Sequence, residues 1–379
     1  MKIALFTDTL CDANGVSRFL QDFSAIAYET GREFHVYSPT VKPCGVSNPL
    51  LHRMPPLLRM RMPWYPQLDL SAPGPAAVGK VLDDLRPDAV HISTPGPVGW
   101  MARFHAKKRL LPIVGTYHTD FPSYLYDKTH RTSVEKLTYG IMRRFYGDFS
   151  MVLTRSERYR PVLLDRLGLP ESKIRVLRPG TDTERFSPRY RDAMRWEDFG
   201  VSREGLKILY VGRLSEEKRF GLLLHAWQRL RERRRDIQLI VVGEGSRKIV
   251  QQAAALPGVV CLGKKTGREL SFCYAAADLF VTPSITETLG QTILEAMASG
   301  LPAVVASQGG HLDFFAADYG AIVKDAEPEA WAEAIEHLCR DATKRQLAGK
   351  LARQRAETMR IGQSFEDFWK IHDLGRAGN

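Results

Sequence analysis

Short apolar runs rich in β-branched residues alternate along the chain with segments of helical period. Twelve of these runs have the length of a strand: Ile3–Phe6, Phe34–Tyr37, Ala89–Ile92, Ile113–Tyr117, Met151–Leu153, Ile174–Leu177, Ile208–Val211, Leu239–Val242, Val259–Leu262, Leu279–Val281, Ala303–Val305 and Ala321–Val323. Continuous apolar strands separated by helices are typical of parallel sheets covered on both faces. The runs form two successive sets of about six, which predicts two doubly wound α/β domains.

The boundary between the two sets is expected in the turn-rich stretch RPGTDTERFSPRYRD, before the strand that begins at Leu206. We therefore assign residues 1–180 to a first domain and residues 181–362 to a second. Residues 363–379 are aromatic and amphipathic at their start, which predicts a helix packing back across the domains. Ligands of open parallel sheets bind at the carboxyl ends of the strands, so we expect the two domains to face each other across a cleft that holds the site.

The composition is that of an ordinary globular protein, with 44% hydrophobic and 26% charged residues among 379. No run approaches the roughly 18 uncharged apolar residues of a membrane-spanning helix. The first residues, MKIALFTDTL, resemble a first strand rather than a leader peptide. We therefore expect a cytoplasmic protein without a membrane-spanning segment.

Five cysteines are scattered through the sequence, without a CxxC pair or a zinc-like spacing to histidine: Cys11, Cys44, Cys261, Cys273 and Cys339. Free thiols in a reducing compartment are the simplest interpretation of this pattern.

The formal charge of +11 is concentrated in the first half of the chain. Residues 1–180 contain 25 basic and 16 acidic side chains, whereas the remainder contains 29 and 27. A basic half suits an anionic surface, such as phospholipid headgroups or nucleic acid, although an ordinary solvated surface has the same composition.

The segment SITETLGQTILEAMASGLP, residues 284–302, has two glutamates separated by seven residues. Its pattern places Glu287 on a loop at the carboxyl end of a strand and Glu295 about one turn into a helix. The backbone N–H groups near Gly290–Thr292 would form that helix's N-terminus, where the helix dipole and unpaired donors favour a phosphate. Two solvated glutamates on a surface helix are the alternative interpretation.

Other candidates also follow predicted strands. Arg213 and Lys218 come after the strand that opens the second set, where two cations can neutralise a diphosphate. Gly15 lies in an Asn-Gly turn that allows close backbone approach, and His118 follows a strand of the first set. Solvated cations on a charged loop, a plain turn and a structural histidine remain the alternatives.

These segments together resemble the retaining glycosyltransferases of GT-B fold known as group 1 or family 4. Besides the E-x7-E segment, the similar stretches are VGRLSEEKRF (211–220), VVGEGSRK (241–248), TDTLCDANGVSR (7–18) and TYHTDF (116–121), which occur in the family's order. The resemblance implies two Rossmann-like domains and a nucleoside-diphosphate sugar as donor. It also implies that the leaving phosphate takes the acceptor's proton on the face from which it departs.

The resemblance further implies roles for particular residues. Glu295 would bind the ribose hydroxyls and Glu287 the donor sugar, and His118 would contact the sugar or the reacting centre. The catalytic candidates are His118, Arg213, Lys218 and Glu287. The donor-binding candidates are Gly15, Arg213, Lys218, Gly290, Gln291, Thr292 and Glu295. Weaker candidates are Asp8, Asp120, Gly243, Gly263, Lys264, Gly309 and Gly310.

Two features of the sequence bear on which family properties can be assigned to it. The loop after the signature helix is SQGGHLDFF (307–315), where the family usually has a small residue, proline or polar residue after the two glycines. The sequence contains no Asp-x-Asp, which counts against a metal-bridged GT-A transferase. We therefore expect no cofactor and no metal, with cations and a helix dipole stabilising the leaving diphosphate.

The segments HISTPGPVGW (91–100) and TYHTDFPSY (116–124) resemble the branch that makes glycolipids, of the sulfoquinovosyl-, glucosyl- or mannosyl-diacylglycerol type. An apolar, proline-rich and arginine-containing loop at residues 50–68 suits a headgroup interface. The candidates for contact with membrane or acceptor are Arg59, Arg61, Trp64, Tyr65, Lys107, Lys108, Arg143 and Arg144. Packing of this loop on its own domain is the alternative.

The sequence thus predicts a hexosyltransferase that is peripheral at the cytoplasmic face of an anionic membrane, with a UDP- or GDP-hexose donor and a lipid acceptor. The same chemistry on a soluble sugar or small-molecule acceptor is the main alternative. An epimerase or phosphorylase of the same fold fits less well, because those enzymes lack the full set of E-x7-E and G-R-x4-K motifs, and no pyridoxal-phosphate lysine can be identified for a phosphorylase. A non-enzymatic nucleic-acid binder would explain the basic half, but no recognised nucleic-acid motif supports it. No nucleic acid and no protein partner is inferred.

Overall fold

The computed structural model describes residues 1–12, 14–42, 48–62, 65–191 and 196–377, with side chains left out at 61–69 and 377. Of the residues singled out above, Cys44 and Trp64 lie outside the described residues, as do the side chains of Arg61 and Tyr65. The chain divides into two compact units, Met1–Arg178 with Gly362–Asn379 and Pro179–Ile361.

The first unit is built on a seven-stranded parallel sheet of order β3-β2-β1-β6-β7-β8-β9. The strands of this unit are β1 (Lys2–Phe6), β2 (Glu33–Ser38), β3 (Leu51–Arg53), β4 (Pro56–Met62), β5 (Tyr65–Pro73), β6 (Ala89–Ile92), β7 (Ile113–Tyr117), β8 (Met151–Thr154) and β9 (Ile174–Val176). Its helices are α1 (Gly15–Glu29), α2 (Ala77–Leu85), α3 (Pro97–Lys108), α4 (Phe121–Thr129) and α5 (Thr132–Tyr146). All six strands predicted in this half are present.

The stretch expected to be a proline-rich loop at residues 50–68 is largely an antiparallel hairpin, and that expectation is wrong. β4 and β5 pair with each other, and β3 joins the edge of the main sheet beside β2. Proline and arginine interrupt the apolar alternation here, so this stretch carries little strand signal. The side chains of Leu57, Leu58 and Met60 on β4 are exposed.

The second unit contains a six-stranded parallel sheet of order β12-β11-β10-β13-β14-β15. Its strands are β10 (Leu206–Val211), β11 (Ile237–Val242), β12 (Val259–Gly263), β13 (Leu279–Thr282), β14 (Ala303–Ala306) and β15 (Gly320–Val323). Its helices are α6 (Phe220–Arg233), α7 (Arg247–Ala254), α8 (Gly267–Ala276), α9 (Gln291–Ala298), α10 (Pro328–Arg340) and α11 (Ala342–Glu357). The prediction of two doubly wound parallel sheets is confirmed.

Side chains of the second sheet alternate between two buried layers, as the period of a strand requires. On β10, Ile208 packs in the cluster that contains Trp227 and Trp331, whereas Leu209 packs in the cluster that contains Tyr274. Because both faces are covered by helices, the strands are mostly apolar rather than alternating with polar residues.

The last helix, α12 (Ile361–Ala377), belongs to the first unit. Its Phe365 and Phe368 pack edge-on against Phe23 of α1, with 5.2 Å between ring centroids in both pairs. The guanidinium of Arg32 lies over Phe365 and donates to Glu366 at 2.9 Å. The helix therefore completes the α1 side of the first sheet.

The expectation of free thiols is wrong at Cys11, which is disulfide-bonded, and it holds at Cys261, Cys273 and Cys339. A disulfide depends on two Cα atoms lying within about 7 Å of each other, and scattered sequence positions carry no information about that distance.

Candidate active site

The functional candidates of the second unit follow two neighbouring strands. Arg213 follows β10, and Glu287 follows β13, which pairs with β10 in parallel. Carboxyl ends of adjacent parallel strands meet at one edge of the sheet, so the two loops lie side by side. Thr286 Oγ1 donates to the carbonyl of Glu217 at 3.4 Å and links them.

Two ion pairs hold the four charged groups of these loops. Lys218 Nζ lies 2.6 Å from Glu287 Oε1, and Arg213 Nη2 lies 2.8 Å from Glu217 Oε1. Their side chains are only 12–21% exposed. An ammonium has three donors and a guanidinium five, so each cation keeps donors beyond those that its carboxylate uses.

The charges of this cluster influence each other's titration. Burial raises the pKa of Glu287, but the Lys218 ammonium outweighs burial, so the pKa of this carboxyl is lowered overall. Burial lowers the pKa of Arg213, and Glu217 and then Glu287 partly offset that effect. Glu287 and Arg213 are therefore both charged at neutral pH.

Helix α9 begins beside this cluster, at Gly290. Gly290 has φ +87°, and a Cβ placed on it would lie 2.7 Å from the Cβ of His311. No side chain caps this N-terminus within the described residues. The N–H groups of Gln291 and Thr292 belong to the first turn, which has no intrahelical acceptors, and so they are available to an anion. Gln291 Nε2 also donates to the carbonyl of Gly180 at 3.5 Å.

Glu295 lies in the second turn of α9 and is 5% exposed. Tyr274 of α8 donates its phenolic hydroxyl to Glu295 Oε2 at 2.9 Å. Tyr274 was not predicted from the sequence, because helix α8 is apolar on the face that carries it. This hydrogen bond fixes the orientation of the carboxylate.

The loop that departs from the family pattern packs against Glu287. Gly310 N donates to the carbonyl of Glu287 at 2.6 Å, and Gly309 has φ +125°. His311 is fully buried and donates Nε2–H to the carbonyl of Ala306 at 2.8 Å. The weaker candidates Gly309 and Gly310 thus adjoin the cluster, and His311 fills the space that a side chain at position 290 would need.

The remaining weak candidates of this unit lie on the β11 and β12 loops. A Cβ on Gly243 would be 1.8 Å from the carbonyl oxygen of Gly212, and Gly243 N donates to Gly263 O at 2.9 Å. Gly243 is therefore required by the close approach of two strand ends. Gly263, with φ +66°, and Lys264 are exposed.

In the first unit, His118 follows β7 and Arg155 follows the adjacent strand β8. Both are almost fully buried, at 9% and 3% exposure. Burial, followed by the nearby charge of Arg155, lowers the pKa of His118 to about 3. His118 is thus a neutral imidazole at physiological pH. Arg155 was not predicted from the sequence as a site residue, although it directly follows an apolar strand.

Asp8 and Asp120 form hydrogen bonds at helix N-termini. Asp8 accepts from Thr94 Oγ1 at 2.6 Å and from the N–H of Val98 in α3 at 3.2 Å, and burial raises its pKa to about 6. Asp120 accepts from Tyr117 and from Ser123 at the start of α4. These bonds give both carboxylates a structural role in positioning helices.

Gly15 is the exposed first residue of α1, and Asn14 caps that helix by accepting from Ser17 N at 2.8 Å. The Asn-Gly pair thus forms a helix start at the carboxyl end of β1. Gly15 itself brings no side chain there, so backbone is what this position offers a ligand.

The proposed membrane residues lie in different settings. Arg59, Lys108 and Arg144 are exposed. Lys107 Nζ pairs with Asp148 at 2.6 Å, and Arg143 donates to the carbonyl of Arg166 at 2.9 Å. In the part of the chain that the structure describes, no helix combines the length and apolar character needed to span a bilayer. Within the same ranges, no group of three or more His, Cys, Asp and Glu side chains is placed to hold a metal ion.

Two family models match the chain. One, described as "Glycosyl transferases group 1", matches residues 196–355, and the other, "Glycosyltransferase Family 4", matches residues 13–185. Together with the two parallel sheets and the charged cluster, these matches place the chain in a defined class. It belongs to the group 1 glycosyltransferases of GT-B fold.

Several relatives with assigned names are similar over most of the chain. The sulfoquinovosyl transferase SQD2 of Arabidopsis thaliana is 32% identical over 83% of this chain, which spans 64% of that protein's length. A GDP-mannose-dependent alpha-mannosyltransferase of Mycolicibacterium smegmatis is 29% identical over 92% of both chains. An alpha-monoglucosyldiacylglycerol synthase of Streptococcus pneumoniae is 26% identical over 80% of this chain and 70% of its own length.

Solved structures share the fold at low identity. The sucrose-phosphate synthase of Thermosynechococcus elongatus superposes with a TM-score of 0.81 at 17% identity, over the full length of both chains. HepE of Anabaena, in complex with UDP and glucose, gives a TM-score of 0.75 at 18% identity over 98% of both chains. These similarities establish the GT-B architecture.

Proposed function

We propose that this protein transfers a hexosyl group from a nucleoside-diphosphate hexose to a hydroxyl acceptor, with retention of anomeric configuration. The observation that carries the proposal is the cluster of Arg213, Lys218 and Glu287 beside the uncapped N-terminus of α9. Relatives named as mannosyl-, sulfoquinovosyl- and glucosyl-transferring enzymes support it, as do structural neighbours solved with UDP and UDP-glucose.

The cluster would act on the charge of the leaving group. As the bond between the sugar C1 and the phosphate oxygen breaks, negative charge grows on the diphosphate. Lys218 and Arg213 would then donate hydrogen bonds to it, and the N–H groups of Gln291 and Thr292 would add the positive end of the helix dipole. Each such donor is typically worth about 3–4 kcal/mol of transition-state stabilisation.

Retention would follow from attack on the face that the diphosphate leaves. The acceptor oxygen forms the new bond to C1, and its proton passes to the departing phosphate oxygen, so no enzyme nucleophile is needed. His118, neutral because its pKa is lowered, would donate or accept a hydrogen bond with a sugar hydroxyl. Glu287 would hold the donor sugar once Lys218 turns to the diphosphate.

We also propose that the reaction needs no metal, since the two cations and the helix N-terminus supply positive charge where a metal ion would otherwise do so. Turnover is therefore measured with and without a chelator of divalent cations. Turnover that disappears with chelator and returns with a divalent cation would contradict this part of the proposal.

The test of the proposed function is a donor and acceptor screen. The purified chain is incubated with UDP- and GDP-hexoses, with and without total membrane lipid, and products are identified by mass. We expect a lipid product whose mass increases by one hexosyl residue. Nucleotide release that requires a soluble sugar instead of lipid would establish the alternative acceptor class. Absence of turnover with every donor would refute the proposed function.

The acceptor is proposed to be a membrane lipid, which the names of the sulfoquinovosyl transferase and diacylglycerol-type relatives support. Exposed Leu57, Leu58 and Met60 on the hairpin would insert among headgroups, and Arg59 lies beside them. The first unit would thus bind peripherally to an anionic surface.

Vesicle flotation tests this membrane association. We expect the chain to float with anionic vesicles and much less with neutral ones, because each basic side chain near an anionic surface contributes about 1 kcal/mol. The variant Leu57→Ser/Leu58→Ser should float less without loss of folding, since both side chains are exposed. Equal flotation of the variant and the parent would show that Leu57 and Leu58 of the hairpin do not contribute to membrane binding.

Glu295→Ala should weaken binding of the free nucleoside diphosphate at least tenfold, because a buried carboxylate that accepts hydroxyl hydrogen bonds is lost. Tyr274→Phe removes only the hydroxyl that orients this carboxylate, so a smaller loss of about threefold is expected. Calorimetry with UDP and GDP measures both. Unaltered affinity in Glu295→Ala would count against a ribose contact, and an equal loss in both variants would assign the effect to packing.

A further inference from the structure

Arg155 is a buried cation at the carboxyl edge of the first sheet. It directly follows β8 and is 3% exposed. The register pairs Tyr117 of β7 with Thr154 of β8, so the next residues along the two strands are His118 and Arg155. Arg155 is therefore the immediate neighbour, across the sheet edge, of the histidine expected to contact the sugar.

The guanidinium of Arg155 lacks the partners that a buried arginine normally has. Among the described residues, its Nε and Nη2 have no hydrogen-bond acceptor. No carboxylate of the described chain contributes to its titration, and burial alone lowers its pKa to about 9. The group therefore keeps its positive charge at neutral pH.

One aromatic ring is shared by Arg155 and His118. The Arg155 guanidinium carbon lies 4.1 Å from the ring centroid of Phe19, and the His118 ring lies 5.6 Å from the same centroid, edge-on. The cation–π contact fixes the plane of the guanidinium. This contact satisfies no N–H group, so Nε and Nη2 have no acceptor among the described residues.

A buried charge without a carboxylate or hydrogen-bond acceptor destabilises a fold. Residues that break the rules of stability in this way concentrate at functional positions. Arg32 of the same unit shows the usual arrangement, since it also lies over aromatic rings but pairs with Glu366 at 2.9 Å. Among the described residues, therefore, Arg155 differs from Arg32 in having no ion-pair partner and no acceptor at Nε or Nη2.

We propose that Arg155 forms a subsite for an acidic substituent, a carboxylate, sulfonate or phosphate, on the substrate that His118 contacts. A planar guanidinium with two free donors matches an oxyanion in geometry and charge. Neutral His118 adds no charge of its own, so Arg155 alone would set the preference for an acidic group. The inference rests on the proposed glycosyl transfer and names its substrate class. The acidic group belongs to either the donor hexose or the acceptor.

The kinetic test compares acidic and neutral substrates in the parent, Arg155→Met and Arg155→Lys. UDP-glucuronate against UDP-glucose tests the donor, and phosphatidylglycerol against diacylglycerol tests the acceptor. We expect Arg155→Met to lower the acidic-to-neutral ratio of kcat/KM at least about tenfold in one of the two comparisons, as loss of a charge-assisted hydrogen bond predicts. Arg155→Lys should recover part of that ratio. Arg32→Met, the matched control, should leave both ratios unchanged. Ratios unchanged by Arg155→Met in both comparisons would overturn the proposal.

A second measurement does not depend on turnover. Thermal denaturation is followed with sodium glucuronate, sodium sulfate and glycerol 3-phosphate, at matched ionic strength against sodium chloride. We expect saturable stabilisation of the parent by at least one of these anions and none in Arg155→Met. Without the anions, Arg155→Met should melt no lower than the parent, whereas Arg32→Met should melt lower. If no donor is turned over in the screen, the proposed glycosyl transfer is refuted. The anion-binding measurement then tests the Arg155 subsite by itself. No anion-specific stabilisation of the parent would then refute it.

Discussion

Replacing Lys218 by alanine is expected to lower kcat about 100- to 1000-fold, which is the usual effect of removing one preorganised donor from a developing anion. Lys218 supplies a full charge and three donors at the cluster, and no other lysine among the described residues pairs with Glu287. Initial rates of nucleotide release with saturating donor measure the change. Lys218→Arg should keep part of the activity, because it restores the charge with a different shape.

Lys248 of α7 is the matched control, since its side chain is exposed and this position has no role in the cluster. Lys248→Ala should leave turnover unchanged. Lys218→Ala also leaves the largely buried Glu287 without its ion-pair partner, so some loss of stability and a higher pKa of that carboxyl are expected. Lys218→Ala/Glu287→Gln removes both charges and should regain stability without activity. Full turnover in Lys218→Ala would show that Lys218 does not stabilise the leaving diphosphate.

The sheets of this protein were predictable because most strands contain a run of apolar residues between helical segments. A buried parallel strand such as Ala303–Ala306 leaves no polar position that could blur the pattern. β3 and the hairpin escaped detection for the opposite reason. Leu51–Arg53 has three residues with a histidine and an arginine, and β4 mixes arginine and methionine along its length.

Residues of the site were predictable where chemistry and strand ends coincide. Arg213 and Glu287 follow neighbouring strands, and the topology alone brings them to one edge. The hydrogen-bond and ion-pair partners of the site residues were not predictable in this way. Tyr274 reaches Glu295 from a different helix, and Arg213 pairs with Glu217, a residue of its own loop that the sequence offers as one of several charges. Side-chain pairing of this kind depends on three-dimensional distances that periodicity does not contain.

Burial was the least predictable property of the candidates. The sequence presents Lys218 as a cation on a charged loop, whereas the structure gives it 18% exposure and a carboxylate partner. Asp8 and Asp120 resemble catalytic carboxylates by position, and the structure uses their oxygens to anchor the starts of α3 and α4. Arg155 shows the reverse, because it was not predicted as a site residue, yet it lies beside His118 with no acceptor for Nε or Nη2 among the described residues.

Acidification from pH 7.5 to 5 is expected to destabilise the first unit by about 2 kcal/mol through His372 alone. His372 of α12 is fully buried and donates Nδ1–H to the carbonyl of Phe368 at 2.7 Å. Its Nε2 lies 2.9 Å from His91 Nδ1, and His91 Nε2 lies 3.1 Å from Thr116 Oγ1. With Nδ1–H committed to a carbonyl, neutral His372 accepts from His91, which in turn accepts from Thr116.

A further proton on either ring would turn an acceptor nitrogen into a donor and add charge where water is absent. Burial therefore lowers the pKa of His372 to about 4, and burial followed by His372 and His118 places the pKa of His91 well below its ordinary value. A lowered histidine pKa stabilises the fold above the ordinary value of 6.5, and that stability is lost as pH falls toward 4. Asp8, with its raised pKa, acts in the opposite direction over the same range.

The variant His372→Gln separates this contribution from that of Asp8, which is present in both proteins. A glutamine amide can still donate to Phe368 O and accept from His91, but it does not titrate. Hydrogen exchange of α12 and β6, corrected for intrinsic rates, gives the local opening free energy at pH 7.5 and 5. The variant should lose about 2 kcal/mol less opening free energy than the parent between these two pH values.

The exposed His225 of α6 provides the control, and His225→Gln should leave the pH dependence unchanged. Parallel curves for parent and His372→Gln would show that the junction of α12 with β6 tolerates a proton, and the buried histidine chain would then have a packing role only.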